Sequence, residues 1–368
     1  MNQRGGAERV FAHIAGAWPD APVYTALYDE SVCGDLVAPT RVRTSFLQKV
    51  PLGRRYFRAL APFYPKAFES FDLSAYDVVI SSTTSWAKGV ITSPHAIHVC
   101  YINTPSRFLF AYDRYVGGFG VGALAKPVVA RLAQWDRRAA LRPTAFVANS
   151  QNVADRVRHY YGRDAFVLPC PVDVDRFSVA RGEGEYFLVL SRLLPYKRID
   201  LAIDAAATAG VRLVIAGEGP AAAELQRRAR GTPAEVIGWV PDSRIAALVA
   251  GAKAVIVPGE EDFGLVPLEA AACGRPAIAL RRGGAVETIV EGETGTFFDE
   301  QSPQELANAL RAFDPSRFDP MRLRRHAEQF APARFVERLR ALVDQIVQQR
   351  QDGTRGTLPI HNVPTSSA

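Results

Sequence analysis

A chain of 368 residues, 48% apolar and 22% charged, is too long for one compact core and too apolar to be disordered, which points to two domains of roughly 150 residues each. No run of eighteen apolar residues occurs and the N-terminus shows no charged-then-apolar leader, so neither a spanning helix nor export is expected, and the cytoplasm is the expected address. The net charge of +6 leaves nucleic acid, a membrane surface or an anionic substrate as partners, and only its distribution separates them.

Short apolar runs alternate with helical patterns, the rhythm of an α/β fold in which helices cover parallel sheets. The chain opens on Arg4-Gly5-Gly6-Ala7-Glu8, paired glycines ahead of a helix around Val10–Ala17. Glycines let a backbone approach a phosphate closely. A Rossmann unit places a buried first strand before such a loop, yet only Met1-Asn2-Gln3-Arg4 precedes Gly5. The first strand is therefore read as missing, and upstream codons are expected to encode an apolar strand that runs into this loop. Strands are predicted at Val23–Tyr28, Val78–Ser82, His98–Ile102 and Phe146–Asn149, with a helix over Val128–Ala140.

Between the first two strands, Phe46–Phe68 interleaves Lys49, Arg54, Arg55, Arg58 and Lys66 with Leu47, Leu52, Tyr56, Phe57, Leu60, Phe63 and Tyr64. The segment reads equally well as a surface resting on anionic lipid headgroups, giving peripheral contact with the inner face of the cell membrane, and as a core-facing stretch with a solvated basic edge. Nucleic acid ranks below both, because no binding motif accompanies the charge.

Pro169 and Pro171 break any helix across Leu168–Phe177 and mark the hinge. Residues 1–171 are assigned to a first domain and 172–332 to a second. Residues 333–350 read as a final helix expected to pack back on the first domain, and 351–368, rich in Gly, Pro, Thr and Ser, as a disordered tail. The second domain repeats the rhythm, with strands at Tyr186–Ser191, Arg212–Ala216, Glu235–Ile237, Ala254–Pro258 and Ala277–Leu280 and helices after Arg198, Pro220, Ser243, Val266 and Ser302.

Cys33, Cys100, Cys170 and Cys273 are widely spaced among apolar neighbours and read as buried thiols. The six histidines form no H-E-x-x-H motif or close ligand pair, so no structural metal is expected. Asp173-Val174-Asp175 matches a D-x-D metal motif but sits in the proline-bounded hinge, where a turn is preferred. Gly217-Glu218-Gly219-Pro220-Ala221-Ala222 follows a strand and precedes a helix, matching G-x-G-x-x-A, and keeps an NAD-dependent oxidoreductase open as an alternative.

The most informative stretch is Glu261-Asp262-Phe263-Gly264-Leu265-Val266-Pro267-Leu268-Glu269, which leads from the apolar strand Ala254–Pro258 into a helix. N–H groups of Gly264, Leu265 and Val266 at a helix start face an anion such as pyrophosphate. Glu269, about one turn inside, can accept hydrogen bonds from two ribose hydroxyls. Arg192 and Lys197 follow the strand Tyr186–Ser191, where ligands of open α/β sheets bind; a guanidinium fork beside an ammonium suits a diphosphate. Arg282-Gly283-Gly284-Ala285-Val286-Glu287 supplies another glycine loop between strand and helix.

E-D-F-G-x-x-x-x-E at 261–269, R-x4-K at 192–197 and G-G-A-E at 5–8 together resemble the family-4 retaining glycosyltransferases of the GT-B fold, over nearly the whole chain. The resemblance implies two Rossmann-like domains facing across a cleft. Asp77–Ser82, Ala87–Gly89, Asn103–Arg107 and Asn149-Ser150 are similar to a branch that includes mannosyltransferases of bacterial surface-polysaccharide assembly. What this implies is a hexosyltransferase moving mannose from GDP-mannose to a glycan or lipid-linked acceptor, with no metal and no cofactor beyond the nucleotide sugar. Configuration is retained, and the leaving phosphate takes the acceptor's proton. By the same resemblance Arg192 and Lys197 bind the donor diphosphate, Glu269 the ribose, and Glu261 the transferred sugar near the reacting carbon. Phe263, Gly264, Leu265 and Val266 line the donor site, Val240 lies by the base, Gly6 closes on the diphosphate from the other domain, and Asn103 meets the donor sugar. Relatives often carry His where this chain has Asn103 before Thr104-Pro105; Asn hydrogen-bonds a hydroxyl but carries no charge. A catalytically inactive nucleotide-sugar-binding protein is the third class. The oxidoreductase alternative leaves Arg192, Lys197, Glu261 and Glu269 without a joint role.

A chain extended upstream of Met1 is expected to be more stable and more active than one that starts there. Equal melting temperature and turnover of the two would refute the missing-strand reading.

Overall fold

The computed structural model describes residues 1–110 and 126–352. They form two compact units, the first comprising 1–110, 126–171 and 333–352 and the second 172–332.

In the first unit, helix α1 (Gly6–Ala17) buries Val10, Ile14 and Ala17, a stripe at helical spacing. Strand β1 (Val23–Thr25) pairs in parallel with β2 (Val42–Thr44). A second parallel sheet runs in the order β3 (Val78–Thr83), β4 (Ile97–Ile102), β5 (Ala145–Ala148), β6 (Ala165–Val167). Every residue of β4 and β5 is buried, as expected of strands covered on both faces. Helix α2 (Lys126–Ala139) precedes β5, and α3 (Gln151–Tyr161) follows it. Ser150 caps α3 by accepting from the Val153 N–H, and Gly162, at φ 63°, ends it.

No strand precedes α1 among the described residues. Met1 instead lies beside the segment after β1: its amino group donates to the Leu27 carbonyl at 2.6 Å, and the Asp29 N–H donates to the Met1 carbonyl at 2.9 Å. Strand β1 stops three residues short of the predicted Tyr28. There the Gln48 side chain takes over the pairing, accepting from the Tyr28 N–H and donating to the Tyr28 carbonyl, each at 2.9 Å.

The second unit holds one six-stranded parallel sheet in the order β12-β11-β10-β7-β8-β9. Its strands are β7 (Tyr186–Leu190), β8 (Leu213–Ala216), β9 (Ala234–Gly238), β10 (Ala252–Val257), β11 (Ala277–Leu280) and β12 (Gly295–Phe298). The helices are α4 (Ile199–Ala209), α5 (Ala222–Ala229), α6 (Asp242–Ala250), α7 (Leu265–Ala272), α8 (Pro303–Ala312) and α9 (Pro320–Glu328). Alanines at 202, 205 and 206 of α4 are fully buried and let its backbone pack close to the sheet and α8. Arg324 of α9 donates to the Val174 and Phe177 carbonyls at 2.7 Å and to Ala272 at 3.2 Å, which fixes the start of this unit against the end of α7. Helix α10 (Pro332–Gln351) belongs to the first unit from residue 333 on. Arg340 donates to the Ala17 carbonyl at 3.1 Å, and Phe335 meets the Tyr101 ring edge-on at 5.7 Å. Gln351 closes this helix, so the predicted tail begins too early by one residue, and 353–368 lie outside the described residues. All four cysteines are buried thiols, none in a disulfide.

One buried polar network ties the strand ends of the first unit together. The Lys88 ammonium contacts the Asp136 carboxylate and donates to the Ser85 carbonyl, and both charged side chains are almost wholly buried. Tyr161 donates to Asp136 Oδ2 at 2.6 Å, and Ser106 Oγ lies 3.5 Å from Oδ1. Burial, and then the neighbouring carboxylate, push the Tyr161 phenol far above its ordinary range, so it remains a donor. The network joins the segments after β3 and β4 to α2 and α3. Asp136→Ala leaves the Lys88 ammonium buried without a counter-charge and is expected to cost about 3–5 kcal/mol in urea unfolding, whereas Lys88→Met with Asp136→Leu recovers most of it.

Candidate functional site

The strand order of the second unit's sheet reverses beside β7: β8 and β9 follow on one side, β10 to β12 on the other. Loops leaving the C-terminal ends of β7 and β10 therefore start side by side at this switch point, the place where the crevice of an open α/β sheet binds its ligand.

The loop after β7 carries Arg192, which is exposed, then the turn Pro195–Lys197. Arg198 ends that turn at φ 53°, ψ 41°, a left-handed conformation uncommon for a residue with a β-carbon and concentrated at functional sites. Its guanidinium is held by Asp200 at 3.2 Å and Gln301 at 3.4 Å, and Gln301 in turn donates to the Pro258 carbonyl at 3.1 Å. Arg198 and Gln301 thus brace both loops of the crevice.

The loop after β10 approaches so closely that a β-carbon on Gly259 would lie 2.8 Å from the Tyr196 and Lys197 carbonyl oxygens. Across this contact Lys197 Nζ meets both oxygens of Glu261 at 2.5 Å and sits 5.1 Å from the Tyr196 ring centre. Burial acts to lower the Lys197 pKa, but the Glu261 charge, Tyr196 and the hydrogen bond to Glu261 outweigh it, so the net shift is upward and the ammonium stays charged.

A third loop, after β11, lies against the second. The Gly284 N–H donates to the Glu261 carbonyl at 2.9 Å, and Glu261 and Gly283 form an isolated parallel bridge. A β-carbon on Gly284 would fall 2.4 Å from Phe263 Cα. Phe263 is 4% exposed and turns its ring toward Phe330, 6.1 Å away, so what it offers a ligand is its backbone. Gly264, at φ 103°, then turns the chain into α7. Among the described residues no protein acceptor takes the N–H groups of Gly264, Leu265 or Val266, and Pro267 has none to give. Three donors at the positive end of the helix dipole thus follow, three to five residues on, the Glu261 that pairs with Lys197. Glu269 is half-buried one turn further on.

The loop after β8 holds the G-x-G glycines, and the structure gives them a packing role. A β-carbon on Gly217 would lie 1.8 Å from the Ser191 carbonyl oxygen and one on Gly219 2.3 Å from that of Leu193. The Leu193 N–H donates to the Glu218 carbonyl and the Gly217 N–H to Gly238, both at 2.8 Å. These glycines seat the β8 loop under the Arg192 loop and beside the end of β9, where Val240 is half-buried and Trp239 65% exposed. The hinge motif Asp173-Val174-Asp175 forms a turn over Val174–Arg176, with Asp175 3.6 Å from Arg324. Among the described residues no three His, Cys, Asp or Glu side chains converge to hold a metal ion.

Arg192, Lys197, Val240, Glu261, Phe263, Gly264, Leu265, Val266 and Glu269 therefore all lie on or next to the C-terminal edge of one sheet. Gly6 and Asn103 belong to the first unit. Gly6 opens α1. Asn103 follows β4, is 8% exposed and donates to Ser82 Oγ and the Thr83 carbonyl at 3.4 Å, while its own carbonyl accepts from Asn149 at 3.0 Å. Sequence reasoning missed Gly259, Arg198, Gln301 and Thr288, whose Oγ1 stands 2.8 Å from where a Gly264 β-carbon would be. Gly259, directly after an apolar strand, was the only one with a local signal.

Gly284→Ala is expected to displace the Glu261–Gly264 backbone and weaken binding of a nucleoside diphosphate about a hundredfold. Gly292→Ala, at φ 79° with open space around it, should cost only about 1 kcal/mol of stability and leave affinity unchanged; titration calorimetry with unfolding curves checks both.

Two family models span the chain: residues 171–330 match the one described as "Glycosyl transferases group 1" and residues 4–176 the one described as "Glycosyltransferase Family 4". The GDP-mannose-dependent alpha-(1-6)-phosphatidylinositol dimannoside mannosyltransferase of Mycobacterium tuberculosis is 41% identical over 148 residues, 38% of each chain. The D-inositol 3-phosphate glycosyltransferase of Geodermatophilus obscurus is 31% identical over 250 residues, 58% of this chain and 56% of that protein. The matches thus span between 38% and 56% of the length of these relatives. Among solved structures, Anabaena Alr3699/HepE in complex with UDP and glucose superposes with a TM-score of 0.66 at 20% identity, covering 94% of this chain and 97% of that one, and so shares the fold. Matched from residue 4 to residue 330 by glycosyltransferase models and alike in fold to that structure, the chain belongs to the family-4 glycosyltransferases of the GT-B fold.

Proposed function

We propose that the chain transfers a hexose, mannose from GDP-mannose, to a glycan or lipid-linked acceptor in surface-polysaccharide synthesis, with retention of configuration and without a metal. The observation that carries this reading is the placement of Lys197 and Glu261 in contact, 2.5 Å apart, with Glu261 on the loop that leads into the open N–H groups at the start of α7. A donor diphosphate carries the charge that these amides, Lys197 and the exposed Arg192 are arranged to receive. As the bond to the sugar breaks, charge builds on the leaving phosphate, and donors already fixed in place stabilise it without reorganising.

Glu261 is positioned by its Lys197 contact and by its backbone bridge to Gly283 to meet hydroxyls of the transferred sugar. Glu269, on α7, is assigned the ribose and the backbone at Val240 the base. In the first unit, Gly6 is assigned to the diphosphate and Asn103 to the sugar, by hydrogen bonding alone. With the leaving phosphate taking the acceptor's proton, no protein base is needed, and the side chains act by orientation and charge. The mannose assignment is supported by the Mycobacterium relative, whose name specifies GDP-mannose; the Anabaena neighbour was solved with UDP and glucose, so the base and sugar are the parts of the proposal that binding must decide.

Thermal-shift titration with GDP, UDP, GDP-mannose, UDP-glucose and NAD tests it. GDP and GDP-mannose are expected to stabilise the protein, by about 2.7 kcal/mol at a hundredfold excess over Kd, and Arg192→Ala and Glu269→Ala to remove most of that gain. Stabilisation by NAD alone would overturn the assignment, and stabilisation by UDP-glucose alone would correct the donor.

A further inference from the structure

The basic, aromatic segment Phe46–Phe68 has two sides that do different things. Turns at Phe46–Lys49 and Phe57–Phe63 and the short helix Tyr64–Glu69 bury Leu47 and Ala67 with Ala26 and Leu27, and Phe57, Leu60, Tyr64 and Phe68 pack on that cluster. A core-facing role accounts for these residues. It does not account for Phe46, Val50, Leu52, Tyr56 and Phe63, which are 44, 36, 67, 56 and 54% exposed. They are five of the fourteen exposed large apolar side chains among the described residues, gathered within one short stretch.

Leu52 is the sharpest case. Its backbone sits at φ 56°, a left-handed conformation that a β-carbon disfavours, yet the side chain it holds there points largely into solvent. An ordinary surface turn would place Gly or Asn at such a position. Lys49, Arg54, Arg55, Arg58 and Lys66 are also exposed, and no Asp or Glu occurs between Phe46 and Phe68. Asp29, outside the segment, reaches Arg54 at 3.6 Å. The Arg55 and Arg58 guanidiniums lie 5.6 and 5.0 Å from the rings of Tyr56 and Phe57, so cations and rings form one mixed surface.

We propose that this face docks on an anionic phospholipid bilayer, with Phe46, Leu52, Tyr56 and Phe63 entering the boundary between headgroups and acyl chains and the five cations lying among the phosphates. Apolar side chains interspersed with cations and free of acids match such a boundary in both hydrophobicity and charge. The contact is peripheral: no helix among the described residues is long and apolar enough to cross a membrane. Asn2 donates to the Arg54 carbonyl at 3.3 Å, so the face adjoins the residues leading to the Gly5-Gly6 loop. The inference stands on this surface alone and does not depend on the proposed reaction.

Co-sedimentation of the full chain with vesicles tests it, comparing phosphatidylcholine alone with phosphatidylcholine containing one third phosphatidylglycerol. Binding is expected to the anionic vesicles only and to fall as salt is raised. Arg54→Gln/Arg55→Gln/Arg58→Gln should weaken it about a hundredfold, or about fivefold per cation. Arg227→Gln/Arg230→Gln/Arg317→Gln, exposed in the second unit, makes the same change in net charge and should leave binding unchanged. Leu52→Ser/Phe63→Ser should weaken it at constant charge, and coincident thermal melts show that each variant is folded. The proposal is overturned if wild-type protein binds both vesicle types equally or neither. It is also overturned if the Arg54 triple variant or the Leu52/Phe63 variant binds as wild type does, or if the second-unit variant loses as much as the first.

Discussion

The pairing of β7 with β10 is the constraint on which the second unit depends. These strands are neighbours in the sheet but far apart in the chain, and they mark the point where strand order reverses. Their outgoing loops consequently start side by side. What the second unit offers to phosphate or sugar stems from that geometry: Lys197 at the end of one loop, Glu261 within the other, and the start of α7 just beyond. The 2.5 Å contact between the two side chains is the direct sign that the loops converge.

Convergence of three loops needs backbone to lie against backbone, and this explains the glycines better than ligand contact does. Gly259 fits against Tyr196 and Lys197, Gly284 against Phe263, and Gly217 and Gly219 against Ser191 and Leu193. A G-x-G pair that reads in isolation as a dinucleotide cradle is here a seat for a neighbouring loop. What is left open to a ligand is the set of amides at Gly264, Leu265 and Val266, which no carbonyl among the described residues reaches.

Much of this was legible in the sequence because the relevant residues are bound to regular elements. Apolar runs at Tyr186–Leu190, Ala252–Val257 and Ala277–Leu280 announce buried parallel strands, and the motif residues follow them at fixed offsets. Strands β2, β6 and β12 were not predicted: β2 is three residues long and carries Arg43 and Thr44 at a sheet edge, too short and too polar for a periodic signal. Helix α3 was missed because its outer face is strongly polar, although Ser150 and Gly162 bracket it. Arg198 and Gln301 lie more than a hundred positions apart, and no local pattern betrays a long-range brace. The buried Lys88–Asp136 pair escaped for the same reason. Two charged residues in sequence read as surface until their partners are known. For the segment Phe46–Phe68 composition gives two readings, and only the fold shows that its apolar residues divide between an inward and an outward side.

The proposed function places a nucleotide sugar's diphosphate in the crevice between the β7 and β10 loops. A crystal structure of the chain with a bound nucleoside diphosphate decides this. Phosphate oxygens are expected within hydrogen-bond distance of the Gly264–Val266 amides and of Lys197 Nζ, with the ribose at Glu269. Phosphates bound instead at the Gly217-Glu218-Gly219 loop, with Lys197 and Glu261 still paired and untouched, would contradict it.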